Sequence, residues 1–160
     1  TAPELVPEPL KRELEPIVWA LGHWAARWSF GDPADEELDV GWLVWRLRQG
    51  LVEDRLPAGR TVVHFVVEGT NPGQAWLVLD RGESTACTID PGFDVDLVVM
   101  GDNRELHRWL LGWRSLRDLQ RAGEIRLIGP SRLVRAFSGW FGSAPFARSL
   151  GRGTPQALAG

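Results

Sequence analysis

Three side chains in this sequence have the types and spacing that acid–base chemistry needs. Two of them, Asp94 and Asp96, alternate with apolar residues in the run FDVDLVV, so their carboxylates share one face if the run is a strand. Burial of that face would raise the pKa of one carboxyl group, and the pair could then serve an isomerase or cyclase acting on an apolar substrate. An antiparallel strand with its polar face in water is the interpretation we favour.

The third candidate, His64, lies in the run TVVHFVVE, where a hydrogen-bonded, half-buried histidine is a more common arrangement than a catalytic base. The sequence contains no HExxH motif, no GxSxG nucleophile motif and no glycine-rich phosphate-binding loop. Its single cysteine, Cys87, excludes an internal disulfide and a CxxC-type metal site. We therefore expect no catalytic residue, no metal and no cofactor, and we predict that the chain is not an enzyme.

The composition is that of a folded domain with an unusual content of tryptophan. The chain has 160 residues, of which 44% are hydrophobic and 24% charged, and this suits one globular domain. Its formal net charge is −3 and its basic residues are interleaved with acidic ones, so we expect no nucleic acid to bind it. Neither a membrane span nor a signal peptide is recognisable, and we expect a cytoplasmic protein. The chain has nine tryptophans and no tyrosine, and we expect several indole rings to line a cavity.

The periodicity of the apolar residues predicts an α+β fold. Apolar residues at helical spacing predict helices that begin near positions 7, 40, 102, 115 and 130. Runs of β-branched and aromatic residues predict strands over 61–68, 75–80, 84–89, 93–99 and 124–128. Short turns join the first four strands, which predicts an antiparallel meander, because parallel strands need longer crossovers. We therefore expect a five-stranded, mostly antiparallel sheet with helices packed on one face around a hydrophobic pocket, preceded by an N-terminal helix.

The N-terminal helix carries an apolar face with the spacing of a coiled-coil seam. Its members follow one another at intervals of four and three residues: Leu10, Leu14, Ile17, Leu21, Trp24 and Trp28. This face could dock on its own domain or on the same helix of a second chain, and we predict a homodimer through it. The chain then divides into this helix at 1–30, a main domain at 38–146 and a flexible tail at 147–160.

The order of these elements and several sequence runs resemble a known family. The runs FDVDLVV, LHRWLLG and LQRAGEIRLIGPSRLVRAFSGWFG resemble the sterol carrier protein type 2 fold, and in particular the version that forms the C-terminal half of HxlR-type winged-helix transcriptional regulators. The run KRELEPIVWALGHW looks like the helix that closes the winged-helix domain of those regulators and pairs two subunits. The resemblance covers roughly residues 10–146.

This resemblance implies a hydrophobic tunnel between sheet and helices that binds a lipid or another apolar molecule. By position, the residues that would line it are Val63, Phe65, Trp76, Leu106, Trp109, Trp113, Phe137 and Trp140. No winged helix is recognisable, so we expect either a piece of a longer regulator or a stand-alone relative, and in both cases a chain that does not read DNA by itself. An enzyme that uses Asp94, Asp96 or His64, and a scaffold that only dimerises, are the alternatives.

Overall fold

The computed structural model describes residues 8–28 and 31–142, and the tail predicted over 147–160 lies outside this part of the chain. The strands, in chain order, are β1 (Thr61–Glu68), β2 (Gly73–Leu79), β3 (Thr85–Cys87), β4 (Leu97–Asp102) and β5 (Ile125–Ile128). The helices are α1 (Glu8–Trp28), α2 (Val40–Gln49), α3 (Asn103–Leu110), α4 (Leu116–Arg121) and α5 (Ser131–Ala136). Short 3₁₀ turns lie at Asp35–Glu37, Glu53–Arg55 and Phe137–Trp140.

The sheet has the strand order β3-β2-β1-β4-β5, which confirms the predicted α+β class with a mostly antiparallel sheet. The predicted meander is wrong in one respect, because β4 pairs with β1 in parallel, with Val63 opposite Leu97 and Phe65 opposite Val99. The strands β2 and β3 lie on one side of β1, with β2 next to it and β3 beyond. The segment 88–96 then carries the chain to the other side of β1, where β4 pairs with it. The segment 88–96 is therefore the crossover connection, although its sequence looks like that of a turn.

Part of the predicted fourth strand belongs to this crossover. β4 begins only at Leu97, and Phe93 and Val95 are exposed on the loop instead of packed inward. The end of the loop is fixed by Asp96, whose backbone N–H donates to the Val62 oxygen at 2.9 Å and whose carboxylate accepts from the Val62 N–H at 2.8 Å. These two bonds start the parallel pairing of β1 with β4.

The hydrophobic core lies between the sheet and the helices. Alternation along β1 sends Val63, Phe65 and Val67 inward, where they are buried, and leaves His64 and Val66 half-buried on the opposite face. The helical side contributes buried residues from α2 through the last 3₁₀ turn: Leu43, Val44, Leu47, Leu106, Leu119, Leu133, Phe137 and Trp140. Burying one side chain of this size stabilises the fold by about 1.5–3 kcal/mol. The helices α2 to α5 are therefore held on one face of the sheet.

Side-chain caps fix where α2, α3 and α4 begin. The capping residues Asp39, Asp102 and Ser115 each accept a hydrogen bond from the backbone N–H three residues further on, at 2.6, 3.1 and 3.1 Å. A cap of this kind contributes about 1 kcal/mol, because it satisfies a backbone donor that the helix itself leaves free. These caps confirm the helix starts predicted near 40, 102 and 115 and set the position of the helices that face the site described below.

The apolar face of α1 is uncovered. The helix runs through Pro16, and five members of the predicted seam expose between 43% (Leu14) and 62% (Leu21) of their surface. The side chain of the sixth, Trp28, lies outside the described residues. In the described part of the chain, no helix is long and apolar enough to cross a membrane.

Candidate ligand-binding cavity

An open cavity of about 1630 Å³ lies between the helices. It is bounded by α2 and α3, by the loop 111–115 with α4, and by α5 with the residues up to Gly142. Its larger apolar lining residues are Trp42, Leu47, Trp109, Leu110, Leu111, Trp113, Leu116, Val134 and Phe141. A concave, mostly apolar site is the usual form of a small-molecule site, and this volume exceeds the usual range for a drug-sized ligand. The cavity is therefore large enough for a long chain or a multi-ring molecule.

Aromatic rings from separate elements support the inner wall of the cavity. Trp109 on α3 contacts the Phe137 ring, with centroids 5.6 Å apart, and meets the Phe141 ring edge-on at 5.7 Å. Phe137 in turn contacts Phe65 of β1 at 6.4 Å and Trp140 at 5.6 Å. Aromatic pairs of this geometry contribute about 0.5–1.5 kcal/mol each beyond their buried area. Trp109 thus connects the buried core with the cavity.

The lining also carries charges of both signs. Its charged members are Glu36, Glu37, Asp39, Arg46, Arg114, Arg117 and Arg135. The guanidinium of Arg46 lies over the Trp42 ring, 5.8 Å from the ring centroid, which is a cation–π arrangement. Because charges of both signs are present, the walls do not share one sign of charge. The feature that they share is apolar surface.

A chain of ion pairs braces the wall formed by α3. Arg108 donates to Asp32 through Nε at 2.7 Å and Nη2 at 2.6 Å, and it also pairs with Glu105. Glu105 accepts from Arg114 at 3.0 Å, and Arg114 reaches Glu124 at 3.0 Å. The hydrogen bonds from Arg108 hold the pKa of Asp32 below its ordinary value. These pairs tie the segment after α1 and the loop that carries Arg114 to α3.

The first turn of α3 is held by a buried amide. The Asn103 Nδ2 donates to the backbone oxygens of Leu38, Thr70 and Asn71 at 3.1, 2.9 and 3.0 Å. Leu38 immediately precedes the cap of α2, and the other two acceptors lie between β1 and β2. Asn103 therefore fixes α3 against both α2 and the sheet, and with it the separation of the two cavity walls.

A buried histidine lies in the same wall. His107 exposes only 1% of its surface, and its ring stacks on Trp42 with centroids 5.8 Å apart. Its Nδ1 lies 2.9 Å from the backbone oxygen of Asn103, and since a carbonyl only accepts, Nδ1 carries the proton. Burial lowers the pKa of His107. Hydrogen bonds to the backbone of Asn103 and Asp39 and the charge of Asp39 oppose this lowering, and Arg104 adds to it. The imidazole is therefore held in its neutral form.

The structure brings together only some of the residues predicted to bind a ligand. Trp109 and Trp113 line the cavity. Five others lie in the core behind it and are at most 1% exposed: Val63, Phe65, Leu106, Phe137 and Trp140. Trp76 lies on the opposite face of the sheet, where it stacks on His64 with centroids 4.6 Å apart. Phe137 and Trp140, which follow α5, fill the space next to the sheet, so the cavity lies outside this core.

The three acid–base candidates lie elsewhere. Asp94 and Asp96 are exposed, as predicted, but they lie on the crossover loop and not on the polar face of a strand. His64 pairs with Gln74 across the outer face of the sheet, with 2.8 Å between His64 Nε2 and Gln74 Oε1. The described residues that line the cavity include none of the three.

Sequence reasoning missed most of the cavity lining, including Trp42 and His107. Trp42 and Arg46 are four residues apart in the sequence, a spacing that places both on one face of α2. Leu43 and Leu47 form the buried face of the same helix. The pair Trp42 and Arg46 was therefore a signal for a second functional face of α2. His107 lies beside Leu106 in the run LHRWLLG, and the sequence pattern alone does not distinguish a buried histidine from an exposed one.

Comparison with known proteins is informative about the fold. No protein-family model and no curated protein matches the sequence. A double mutant of the sec-alkyl sulfatase PisA1 superposes with a TM-score of 0.52 at 20% identity, over 62% of this chain and 16% of that one. The chain therefore spans about a sixth of the sulfatase and shares a fold with that part of it. At 20% identity this likeness concerns the fold alone.

Several sterol carrier protein 2 domains are also among the similar structures. The palmitated SCP2L2 of Aedes aegypti superposes with a TM-score of 0.49 at 12% identity, over 62% of this chain and 91% of that one. The UbiJ-SCP2 ubiquinone synthesis protein superposes with a TM-score of 0.40 at 20% identity, over 79% and 95%. Both TM-scores lie below that of the sulfatase segment.

Proposed function

We propose that this chain binds a hydrophobic small molecule or a lipid, without changing it chemically, in the cavity between α2, α3, α4 and α5. The observation that carries the proposal is a cavity of about 1630 Å³ with indole rings in its walls. Apolar surface that leaves water on binding contributes roughly 25 cal/mol per Å², part of which is offset by the ordering of the partners. The ion pairs and the Asn103 amide fix the positions of the walls, so the site is largely preformed.

Titration with an environment-sensitive apolar dye tests this proposal. Wild type is expected to bind about one dye per chain, and Trp113→Ala, which removes a lining ring, is expected to weaken binding about tenfold. Trp76→Ala is the matched control, because it removes the same ring from the opposite face of the sheet. No saturable binding by the wild type, or an equal loss in both variants, would contradict the proposal.

We also propose that two chains pair through α1. The supporting observation is the uncovered face that includes Leu14 and Leu21, since water contact with apolar surface of this size is unfavourable. Sedimentation of the wild type is expected to show a dimer, and Leu14→Asp combined with Leu21→Asp is expected to show a monomer. Arg12→Asp, which changes charge off the seam, should leave the dimer intact. A wild type that stays monomeric at high concentration would end this proposal.

The finer form of the proposal is the effector-sensing half of a transcriptional regulator, which the family resemblance implies. It is supported by Gly31 and Pro33, which follow α1 in the chain and line the cavity, so that a bound molecule would contact the segment that comes after the pairing helix. Such a sensor requires ligand binding and dimerisation to be coupled. Saturating dye should then shift the dimer equilibrium measured by sedimentation, whereas a scaffold that only dimerises would show no shift.

An enzyme using Asp94, Asp96 or His64 is the less supported alternative. The cavity is separated from these side chains, because His64 lies on the outer face of the sheet and the two carboxylates lie on the exposed crossover loop. A catalytic role would need a second site on that face.

A further inference from the structure

The outer face of the sheet carries apolar side chains that the described residues leave partly open to water. Strand pairing aligns three of them, Trp76, Val98 and Ile128, in one row with His64. Ile128 exposes 51% of its surface, and the other three are half-buried. The helices α2 to α5 pack on the opposite face. This face of the sheet therefore has the character of a surface that another layer covers.

The seam of α1 is a second uncovered apolar surface, and its length fits the sheet. From Leu10 to Trp24 the seam measures about 21 Å, since each helical residue rises about 1.5 Å. Five strands spaced about 4.8 Å apart span about 19 Å. The seam and the outer face therefore match in length, and both present apolar side chains to water.

The connection after α1 keeps the seam away from the outer face of its own sheet. Gly31 and Pro33 line the cavity on the helical side of the sheet, and Asp32 bonds to Arg108 of α3. The two residues between Trp28 and Gly31 allow a reach of at most about 11 Å. The outer face lies behind the sheet, roughly two layer spacings or about 20 Å from the helical layer. A copy of α1 that covers this face therefore comes from another chain.

We propose that two copies of the chain exchange their α1 helices, so that the seam of each helix packs on the outer sheet face of its partner. This inference rests on the proposed pairing through α1 and names the surface that α1 contacts. The five seam residues with described side chains expose roughly 100 Å² each, or about 500 Å² per helix. A reciprocal exchange buries this area on two helices and a matching area on two sheet faces, about 2000 Å² in all, which is enough for a stable dimer. Pairing of α1 with α1 alone buries only about 1000 Å², which is below the usual range.

Mixing two variants that each lack one of the two surfaces tests the exchange. Leu14→Asp with Leu21→Asp breaks the seam, and Val98→Glu with Ile128→Glu places two carboxylates on the outer face, away from the core. Each double variant alone is expected to sediment as a monomer. An equimolar mixture is expected to recover a dimer weaker than the wild type, because the intact seam of one chain meets the intact sheet of the other. Trp45→Glu, which changes an exposed ring on α2, is the control and should keep the wild-type dimer.

The outcomes separate the exchange from the pairing on which it rests. A dimer formed by the outer-face variant alone overturns the exchange and leaves the pairing through α1 in place. A mixture that stays monomeric while the wild type dimerises has the same consequence. A wild type that is monomeric at high concentration overturns both.

Cross-linking provides a readout that does not depend on the outer-face variant being folded. The photoreactive residue p-benzoylphenylalanine replaces Leu21 in a mixture of chains labelled with ¹⁴N and ¹⁵N, so that cross-links between chains are recognised by mass. Cross-links are expected from position 21 of one chain to β1, β2, β4 or β5 of the other. Cross-links from position 21 to α1 of the other chain, or to the sheet of the same chain, overturn the exchange.

Discussion

Replacing Trp109 by alanine distinguishes the two roles that an aromatic ring has in this fold, packing in the core and lining the cavity. Trp109 lines the cavity and also packs on Phe137 and Phe141, whereas Phe137 is fully buried in the core. Replacing each ring by alanine should therefore affect stability and ligand binding to different degrees. We expect Phe137→Ala to be the greater loss for stability and Trp109→Ala the greater loss for binding.

The size of each effect follows from burial. Complete burial of Phe137 sets the cost of Phe137→Ala at about 3–5 kcal/mol of unfolding free energy. Trp109 is half-buried, and losing its two ring contacts together with part of its buried area sums to roughly 2–4 kcal/mol. For binding the order reverses, because only Trp109 contacts the cavity. Trp109→Ala should weaken dye binding about tenfold, and Phe137→Ala should leave it within about twofold where the protein is folded.

Urea unfolding and dye titration measure the two quantities on the same samples. Binding is followed through the emission of the dye, so that the loss of one tryptophan does not change the signal. If Trp109→Ala cost as much stability as Phe137→Ala and left the dye affinity unchanged, Trp109 would belong to the core alone. The cavity would then lie elsewhere and the reasoning would be refuted.

Three exposed carboxylates provide the remaining predictions. Asp94→Asn and Asp96→Asn should each leave dye affinity within about twofold, since exposed carboxylates contribute little; a large loss with an unchanged melting curve would favour the enzyme alternative. Arg108 lowers the pKa of the Asp32 carboxyl group from its ordinary value of 3.8. The ionised Asp32 therefore stabilises the folded state fully above pH 3.8, and this stabilisation is lost as the pH falls through the lower pKa of the folded state. Asp32→Asn should therefore be less acid-sensitive than wild type in thermal melts below pH 3.8 at low salt, and equal acid sensitivity would contradict this account.

Local patterns were sufficient for most of the elements, but not for the start of β4 or for the way the strands connect. Alternation in TVVHFVVE correctly predicts that Val63 and Phe65 face inward and that His64 faces outward, because strand geometry depends on neighbouring residues. The parallel pairing of β1 with β4 depends on contacts between residues distant in sequence. Asp96, whose backbone and carboxylate both bond to Val62, looks in the sequence like one more alternating strand residue.

The cavity could be predicted in kind but not in place. The aromatic residues of α3 and of the segment after α5 were correctly expected on the inward side of their helices. Which rings contact each other and which line the cavity depends on the distance between α3 and the segment after α5. Phe137 and Trp109 have the same inward character in the sequence, yet only Trp109 reaches the cavity.

Photoaffinity mapping tests the central claim most directly, because it shows where a hydrophobic ligand lies. An alkyl probe with a terminal diazirine would be bound, photolysed and located by mass spectrometry of the peptides, with and without an excess of the apolar dye. We predict that the dye-sensitive label falls on residues of the loop 111–115 and of 134–142. Label confined to α1 or to the sheet face that carries His64 and Trp76, with the cavity peptides unmodified, would contradict the account.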